Sequence, residues 1–213
     1  MDKDEYWFLD VVWQSVMPLD FLIREDVLES DLNRDGHGLS DSDVLEVLDH
    51  LFSRGDIIIG ETWDTENDFV PTREQIKAGF LEGQDISTWE VMKQRFCYKL
   101  TPQGGALWEA ATNADWNRYF EYHNYFDYDA NQFFPKRKEI KSTNPELIST
   151  VVEWLSSQLS ILPETMEWKV LDEWEATYWK VLSQAHHLSF YYQTQSGSYP
   201  QELLNYKWYQ RLF

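Results

Sequence analysis

One stretch of the chain combines a helical and a strand-like hydrophobic pattern, and the predicted fold is organised around it. In residues 41–54, apolar side chains recur at spacings of three and four residues, which is typical of a helix with one buried face. These side chains belong to Val44, Leu45, Val47, Leu48, Leu51 and Phe52. Ser40 is a good N-cap for this helix, and Gly55 suits the left-handed residue that ends it. Three isoleucines follow at 57–59, so the pattern predicts a helix at 41–54 and then a strand at 56–60.

Alternating and helical patterns predict further elements on the C-terminal side of this pair. Residues 94–100 alternate apolar and polar positions, which indicates a half-buried strand. Thr101 then caps a new helix. Farther along, residues 144–159 carry a helical stripe, whereas residues 187–193 alternate like a strand. Helices and strands in one chain predict the α+β fold class.

Aromatic composition divides the chain close to residue 113. Nine aromatic side chains lie within residues 116–134, and we interpret them as packing between two halves of the molecule. We therefore expect an acidic first domain at 1–113 and an aromatic-rich α+β half at 114–213, packed against the first. The hydrophobic content of 43% and the aromatic content of 16% argue against intrinsic disorder.

The first domain resembles a winged-helix domain at two motifs. The predicted helix at 41–54 ends in the pattern LxxLxxxGDI, and a later strand reads YKLTPQGGALW where the next helix begins. The matching positions are Leu48, Leu51, Gly55, Ile57, Leu100, Thr101, Pro102 and Gly104. The resemblance covers about residues 6–112 and implies a recognition helix followed by two wing strands. We therefore expect the strand at 56–60 to pair with a strand at about 95–100. The long interval between those strands implies an enlarged wing.

The distribution of charge changes what the resemblance implies for function. The formal net charge is −19, and residues 1–68 hold 19 acidic against 4 basic side chains, a net of −15. Helices that read DNA need basic or amide side chains to reach phosphates and base edges. The predicted recognition helix offers carboxylates instead. We therefore expect binding neither to nucleic acid nor to an anionic membrane surface.

The same carboxylates form the predicted binding site. Asp41, Glu46 and Asp49 lie on or near the exposed side of the predicted helix, and we predict that they form a docking surface for a basic protein. Acidic patches accelerate encounters with basic partners and make binding sensitive to salt. The alternative is that these charges only solvate the helix and keep the protein soluble.

A polar loop before the helix partly matches a calcium-binding motif. Asp31, Asn33 and Asp35 match the first, third and fifth ligand positions of an EF-hand loop, and a glycine follows them. Ser42 stands where the motif needs a bidentate glutamate. We therefore expect a polar turn that leads into the helix, and no tight calcium site.

Signatures of catalysis are mostly absent. The sequence contains no G-x-S-x-G elbow, no phosphate-binding glycine loop, no H-E-x-x-H motif and no cysteine pair. Cys97 is the only cysteine, and we interpret it as a small packing residue. We expect no cofactor. Because the sequence shows no secretory signal pattern and no long apolar run, we expect a cytoplasmic protein.

Three classes of function remain open. The first is a non-catalytic protein-interaction module, including an immunity- or antitoxin-like protein whose acidic face occupies a basic surface on its partner. Residues 174–193 faintly resemble small bacterial immunity-type proteins. The second is a winged-helix transcriptional regulator, and the third is an unrecognised hydrolase. We predict the first of these.

Overall fold

Helices and antiparallel sheets form two compact units. The computed structural model describes residues 1–19, 37–60, 68–82, 97–125, 136–194 and 208–209. Both helices and antiparallel strands are present, so the predicted α+β class is confirmed. The first unit takes its described residues from Met1–Thr112 and Thr177–Lys180, and the second takes them from Asn113–Ala176 and Val181–Gln210.

The first unit contains helices and a small sheet. The helices are α1 (Lys3–Val12), α2 (Asp41–Arg54), α3 (Arg73–Glu82) and α4 (Pro102–Thr112). The strands are β1 (Met17–Pro18), β2 (Ile57–Ile59) and β3 (Cys97–Leu100), in the order β1–β3–β2. The predicted helix at 41–54 and the predicted pairing of the two strands are confirmed, because Ile57 lies opposite Leu100 in an antiparallel ladder.

The segment around Pro18 differs from its predicted structure. The hydrophobic pattern at residues 6–24 predicts two helices that Pro18 divides. The structure instead places Met17 and Pro18 in β1, where Pro18 lies opposite Cys97. Proline lacks a backbone N–H, so it is tolerated in a strand at the edge of a sheet, and β1 is at one edge of this one.

The core of the first unit lies against helix α2. Val44, Leu48, Leu51 and Phe52 are buried, and α2 contacts α1, α3 and β2. Leu45 and Val47, the margins of the predicted stripe, are half-buried. The buried face of the helix is therefore the face that the periodicity predicts.

Helix α4 completes this core with a tryptophan. Trp108 is fully buried, and its indole N–H donates to the buried carboxylate of Asp10 at 2.9 Å. The Trp108 ring also stacks on Trp13, with 5.2 Å between centroids. These contacts connect α4 to α1 and to Trp13, the residue that follows α1.

The four residues that join the first unit from the C-terminal half of the chain are anchored by two aromatic side chains. The Tyr178 hydroxyl donates to the carbonyl of Val12 at 2.6 Å and accepts from the backbone N–H of Leu100 at 2.7 Å. Burial raises the pKa of Tyr178, so this hydroxyl keeps its proton. The Trp179 indole N–H donates to the carbonyl of Trp13 at 2.7 Å.

A larger sheet and one helix form most of the second unit. Its described elements are β4 (Glu121–Tyr125), β5 (Lys136–Ser142), α5 (Pro145–Ser156), β6 (Leu159–Ile161), β7 (Glu167–Leu171), β8 (Trp174–Thr177), β9 (Lys180–Leu182) and β10 (Ala185–Thr194). The last residue of β8 and the first of β9 are counted with the first unit. Strand β10 pairs with β5 along one edge and with β6 and β7 along the other. Strand β4 pairs with β5.

Helix α5 covers one face of this sheet. The buried cluster consists of Ile140, Leu147, Ile148, Val151, Leu155, Leu159, Leu188, Phe190 and Tyr192. The predicted helix extends to Leu159, but α5 ends at Ser156 and Leu159 lies in β6. The sequence analysis predicts no strand at β5, because its lysine and arginine side chains hide the strand alternation.

Several predictions concern residues outside the described ranges. They are the helical turn at 86–92, the part of the aromatic stretch after residue 125 and most of the final helix from residue 200. Residues 208–209 of that predicted helix are described, and they are not helical. The calcium-like loop also belongs here, since Asp31, Asn33 and Asp35 are not described. Among the residues that the structure does describe, no helix has the length and apolar character needed to cross a membrane.

Candidate functional site

Helix α2, which carries the predicted docking residues, is fixed at both ends. At its N-terminus, the Ser40 hydroxyl accepts from the backbone N–H of Asp43, and the Asp43 carboxylate accepts from the backbone N–H of Ser40, both at 3.3 Å. This reciprocal arrangement is a capping box. At its C-terminus, Gly55 adopts a φ of +79°, and its N–H bonds back to the last turn. The helix therefore presents its exposed side chains from a fixed backbone.

The three predicted docking carboxylates lie in different environments on α2. Asp41 is exposed in the first turn, where a negative charge stabilises the helix dipole. Glu46 is exposed on the solvent side. Asp49 is half-buried on the side of α3, where its carboxylate accepts from the Arg73 guanidinium at 3.3 Å. Asp41 and Glu46 are therefore exposed to solvent, whereas Asp49 takes part in an ion pair.

The C-terminal end of α2 forms a network of charged groups that the sequence did not predict. The Arg54 guanidinium donates to the Glu5 carboxylate of α1 at 2.8 Å and also pairs with Asp56. Gln103 donates to the second oxygen of Asp56 at 3.1 Å. His50 lies 3.4 Å from Glu5. Because the partners come from three helices and the turn before β2, this network connects those elements.

The charges around Arg54 keep it protonated. Burial opposes the charged guanidinium, but the hydrogen bond and charge of Asp56 and the charge of Glu5 outweigh it and raise the pKa of Arg54 above its ordinary value. Asp56 and Glu5 are largely buried, with side chains 2% and 10% exposed. An Arg–carboxylate cluster with this burial has a structural role, since its charges are already compensated.

In the second unit, the sheet face opposite α5 carries rows of polar side chains. Glu121, Lys141, His187 and Lys169 lie side by side across four strands. Glu121 contacts Lys141 at 3.6 Å and accepts from the Trp174 indole at 3.3 Å. Opposite charges in neighbouring strands stabilise a sheet. The Glu121–Lys141 pair is therefore explained by sheet stability.

The next row brings Glu139 into contact with three groups. Its carboxylate lies 2.8 Å from the Arg137 guanidinium and 3.4 Å from the imidazole of His187, and it accepts from the Tyr125 hydroxyl at 3.2 Å. Burial lowers the pKa of His187, while the Glu139 charge opposes that shift. His187 is therefore neutral at pH 7. Ser189 is buried on the same face of β10.

On the α5 side of the sheet, Lys138 is fully buried. Its ammonium lies 4.7 Å from the centroid of the Tyr122 ring and 5.6 Å from that of Tyr192, which are cation–π distances. Burial lowers the pKa of Lys138 to about 8. The aromatic rings therefore surround a lysine that gives up its proton more readily than an exposed one.

These clusters do not form a recognisable catalytic centre. Glu139 and Glu121 each contact a histidine, at 3.4 Å for His187 and 2.9 Å for His123, but each also contacts a cation. Both carboxylates are therefore explained as members of ion pairs. Within the described ranges, no cluster of three or more His, Cys, Asp or Glu residues could hold a metal ion.

Comparison with known proteins gives no match of any of three kinds. No family model matches the chain, and neither a curated protein nor a solved structure matches it.

Sequence reasoning missed the polar sheet face, although part of its signal was present. Residues 187–193 were predicted as a strand from Leu188, Phe190 and Tyr192, and this prediction implies that the intervening residues share the opposite face. Each of these residues that pairs with β5 lies opposite a residue that is at least 46 positions earlier in the sequence. Ser189, for example, lies opposite Glu139, which is 50 positions earlier. No local pattern shows such a pairing.

Proposed function

We propose that this protein is a non-catalytic protein-interaction module that presents helix α2 to a basic partner protein. The observation that carries the proposal is the exposure of Asp41 and Glu46 on a helix that is capped at both ends. Asp49 lies half-exposed beside them. The sequence of residues 1–68 carries a net charge of −15, which suits a basic partner.

The caps favour binding because they lower its entropic cost. A side chain that is presented from a fixed backbone loses less conformational freedom on binding than one on a loop. Charge complementarity mainly raises the association rate and sets the choice of partner. A partner with a cluster of Lys and Arg is therefore the kind of protein that this face suits. An immunity- or antitoxin-like protein that occupies such a basic surface is the more specific form of the proposal.

A winged-helix-like arrangement is our proposal for the fold of the first unit. Two features support it: the chain order α1, β1, α2, β2, α3, β3, in which α3 falls between the two wing strands, and the sheet order β1–β3–β2 with α2 directly before β2. In such an arrangement α2 takes the place of the recognition helix. Because α2 exposes carboxylates, we propose a protein target rather than an operator, and the transcriptional regulator is the less supported alternative.

Reversing two charges on α2 tests the docking surface. We expect Glu46→Lys/Asp49→Lys to abolish retention of a basic partner in a pull-down from the native host lysate, because both attractive charges become repulsive. Wild-type retention should fall as salt rises, since salt screens exposed charges. The bound proteins are identified by mass spectrometry at low and high salt.

Two control variants separate docking from damage to the fold. Arg73→Ala breaks the same ion pair as Asp49→Lys but leaves the acidic face intact, so it should retain the partner. Glu153→Lys/Glu164→Lys makes an equal charge change at exposed positions of the second unit and should also retain it. Retention of the same proteins by the α2 variant, or no basic protein bound by wild type, contradicts the proposal.

Duplex DNA should not bind. Non-specific affinity for DNA comes from cations that displace counterions from phosphates, and residues 1–68 supply only 4 basic against 19 acidic side chains. We expect no mobility shift of a mixed-sequence duplex at low salt, where such binding is strongest. A shifted band that persists with competitor DNA would support the transcriptional regulator instead.

A further inference from the structure

Strand β7 is an exposed edge of the larger sheet. It pairs with β10 on one side, and within the described part of the chain no strand pairs with its other side. Glu167 and Lys169, on one face, have side chains 65% and 58% exposed. Trp168 and Val170, on the other face, are 49% and 57% exposed. An exposed edge with large apolar side chains is a template for strand pairing, which proteins usually protect.

The charges of β7 are complementary to a second copy of the same strand. When two antiparallel copies pair about a two-fold axis at Trp168, Glu167 of each copy lies opposite Lys169 of the other. The same register places the two Trp168 side chains opposite each other on the second face, where an aromatic pair is favourable. Shifting the axis by one residue, to Glu167 or to Lys169, brings like charges face to face, which is unfavourable.

We propose that β7 is a homodimerisation edge, on which a second copy of this chain adds its own β7 antiparallel in the Trp168-centred register. Dimers with two-fold symmetry are the commonest oligomers of soluble proteins. The charge pattern favours a second copy of β7 as the partner strand, because Glu167 and Lys169 lie on the same face with Trp168 between them in the sequence. The proposal is independent of the α2 docking surface, which lies in the other unit.

The dimer should be weak. Strand β7 has only five residues, so the paired strands bury less surface than a standard interface. We therefore expect a dissociation constant in the micromolar range, with a monomer–dimer equilibrium that sedimentation velocity of the full-length protein can measure. A protein that stays monomeric at several hundred micromolar overturns the proposal.

A charge-swap series tests the pairing without altering the buried core. Lys169→Glu places carboxylates opposite carboxylates, and Glu167→Lys places cations opposite cations, so each should weaken dimerisation about tenfold or more. The double variant Glu167→Lys/Lys169→Glu restores opposite charges and should recover the wild-type dissociation constant. Single variants that dimerise like wild type, or a double variant that remains monomeric, contradict the proposal. Circular dichroism confirms that each variant is folded.

A cysteine experiment tests the register separately. In a Cys97→Ser background, Trp168→Cys puts two thiols directly opposite each other, at a separation that a disulfide can span. Mild oxidation should then produce a covalent dimer. Val170→Cys is the matched control, because its two copies would be roughly 13 Å apart along the strands and should not crosslink. Crosslinking of the control but not of Trp168→Cys would show a different interface.

Discussion

Replacing Gly104 with alanine should destabilise the protein by about 3 kcal/mol or more. A Cβ atom at Gly104 would lie 1.9 Å from the carbonyl oxygen of Asp56 and 2.7 Å from its carbonyl carbon. That carbonyl is fixed, because it accepts from the backbone N–H of Thr101 at 3.0 Å and from the Thr101 hydroxyl at 3.2 Å. The higher helix propensity of alanine, worth about 1 kcal/mol, is too small to offset the clash.

Gly55→Ala is the matched control for this substitution. Gly55 has a φ of +79°, but a Cβ there would meet nothing within 4 Å. Its cost is therefore conformational only, about 1–2 kcal/mol. Urea unfolding followed by tryptophan fluorescence measures both variants. If Gly104→Ala costs no more than Gly55→Ala, helix α4 does not pack on Asp56 as closely as the structure indicates.

The elements that could be predicted from sequence are those with local signals. Helix α2 has a capping residue, an apolar stripe and a terminal glycine within 16 residues, so all of its information is contiguous. Ile57–Ile59 and Cys97–Leu100 were also predicted, together with their pairing, because the winged-helix resemblance supplied the long-range connection. Without that resemblance, the alternation alone would not name the partner strand.

The missed elements are those whose signal is hidden by charge or by shortness. Strand β5 contains five charged residues out of seven, including Lys138, which is fully buried between aromatic rings. Polar patterns predict exposure, so a buried lysine breaks the rule on which the prediction depends. Strand β6 has three residues and follows α5 closely, and Leu159 fits either element. The pairing of Leu159 with Thr194 is what assigns Leu159 to β6.

The candidate site shows the same division between local and long-range information. The exposure of Asp41 and Glu46 follows from helix geometry and was predicted. The ion pair of Asp49 with Arg73 joins residues 24 positions apart on two helices, and no pattern within either helix indicates it. This pair matters for function, because it partly neutralises one of the three predicted docking charges. Glu46 is consequently the carboxylate on which we expect docking to depend most.

Replacing Leu48 with alanine should cost about 2–5 kcal/mol, the usual range for a fully buried leucine. Leu48 is 0% exposed at the centre of the α2 stripe, so the substitution removes apolar contacts and leaves a cavity. Urea unfolding measures the change in the free energy of unfolding. The docking proposal also depends on this result, because a helix whose inner face is anchored must direct Glu46 outward.

Ser53→Ala on the same helix is the matched control for Leu48→Ala. Ser53 is exposed, and surface substitutions of this kind usually change stability by less than about 0.5 kcal/mol. An effect of Leu48→Ala as small as that of Ser53→Ala would mean that the buried and exposed faces of α2 are wrongly assigned. Glu46 would then not be exposed as assigned. That result would contradict both the orientation of α2 and the acidic docking surface.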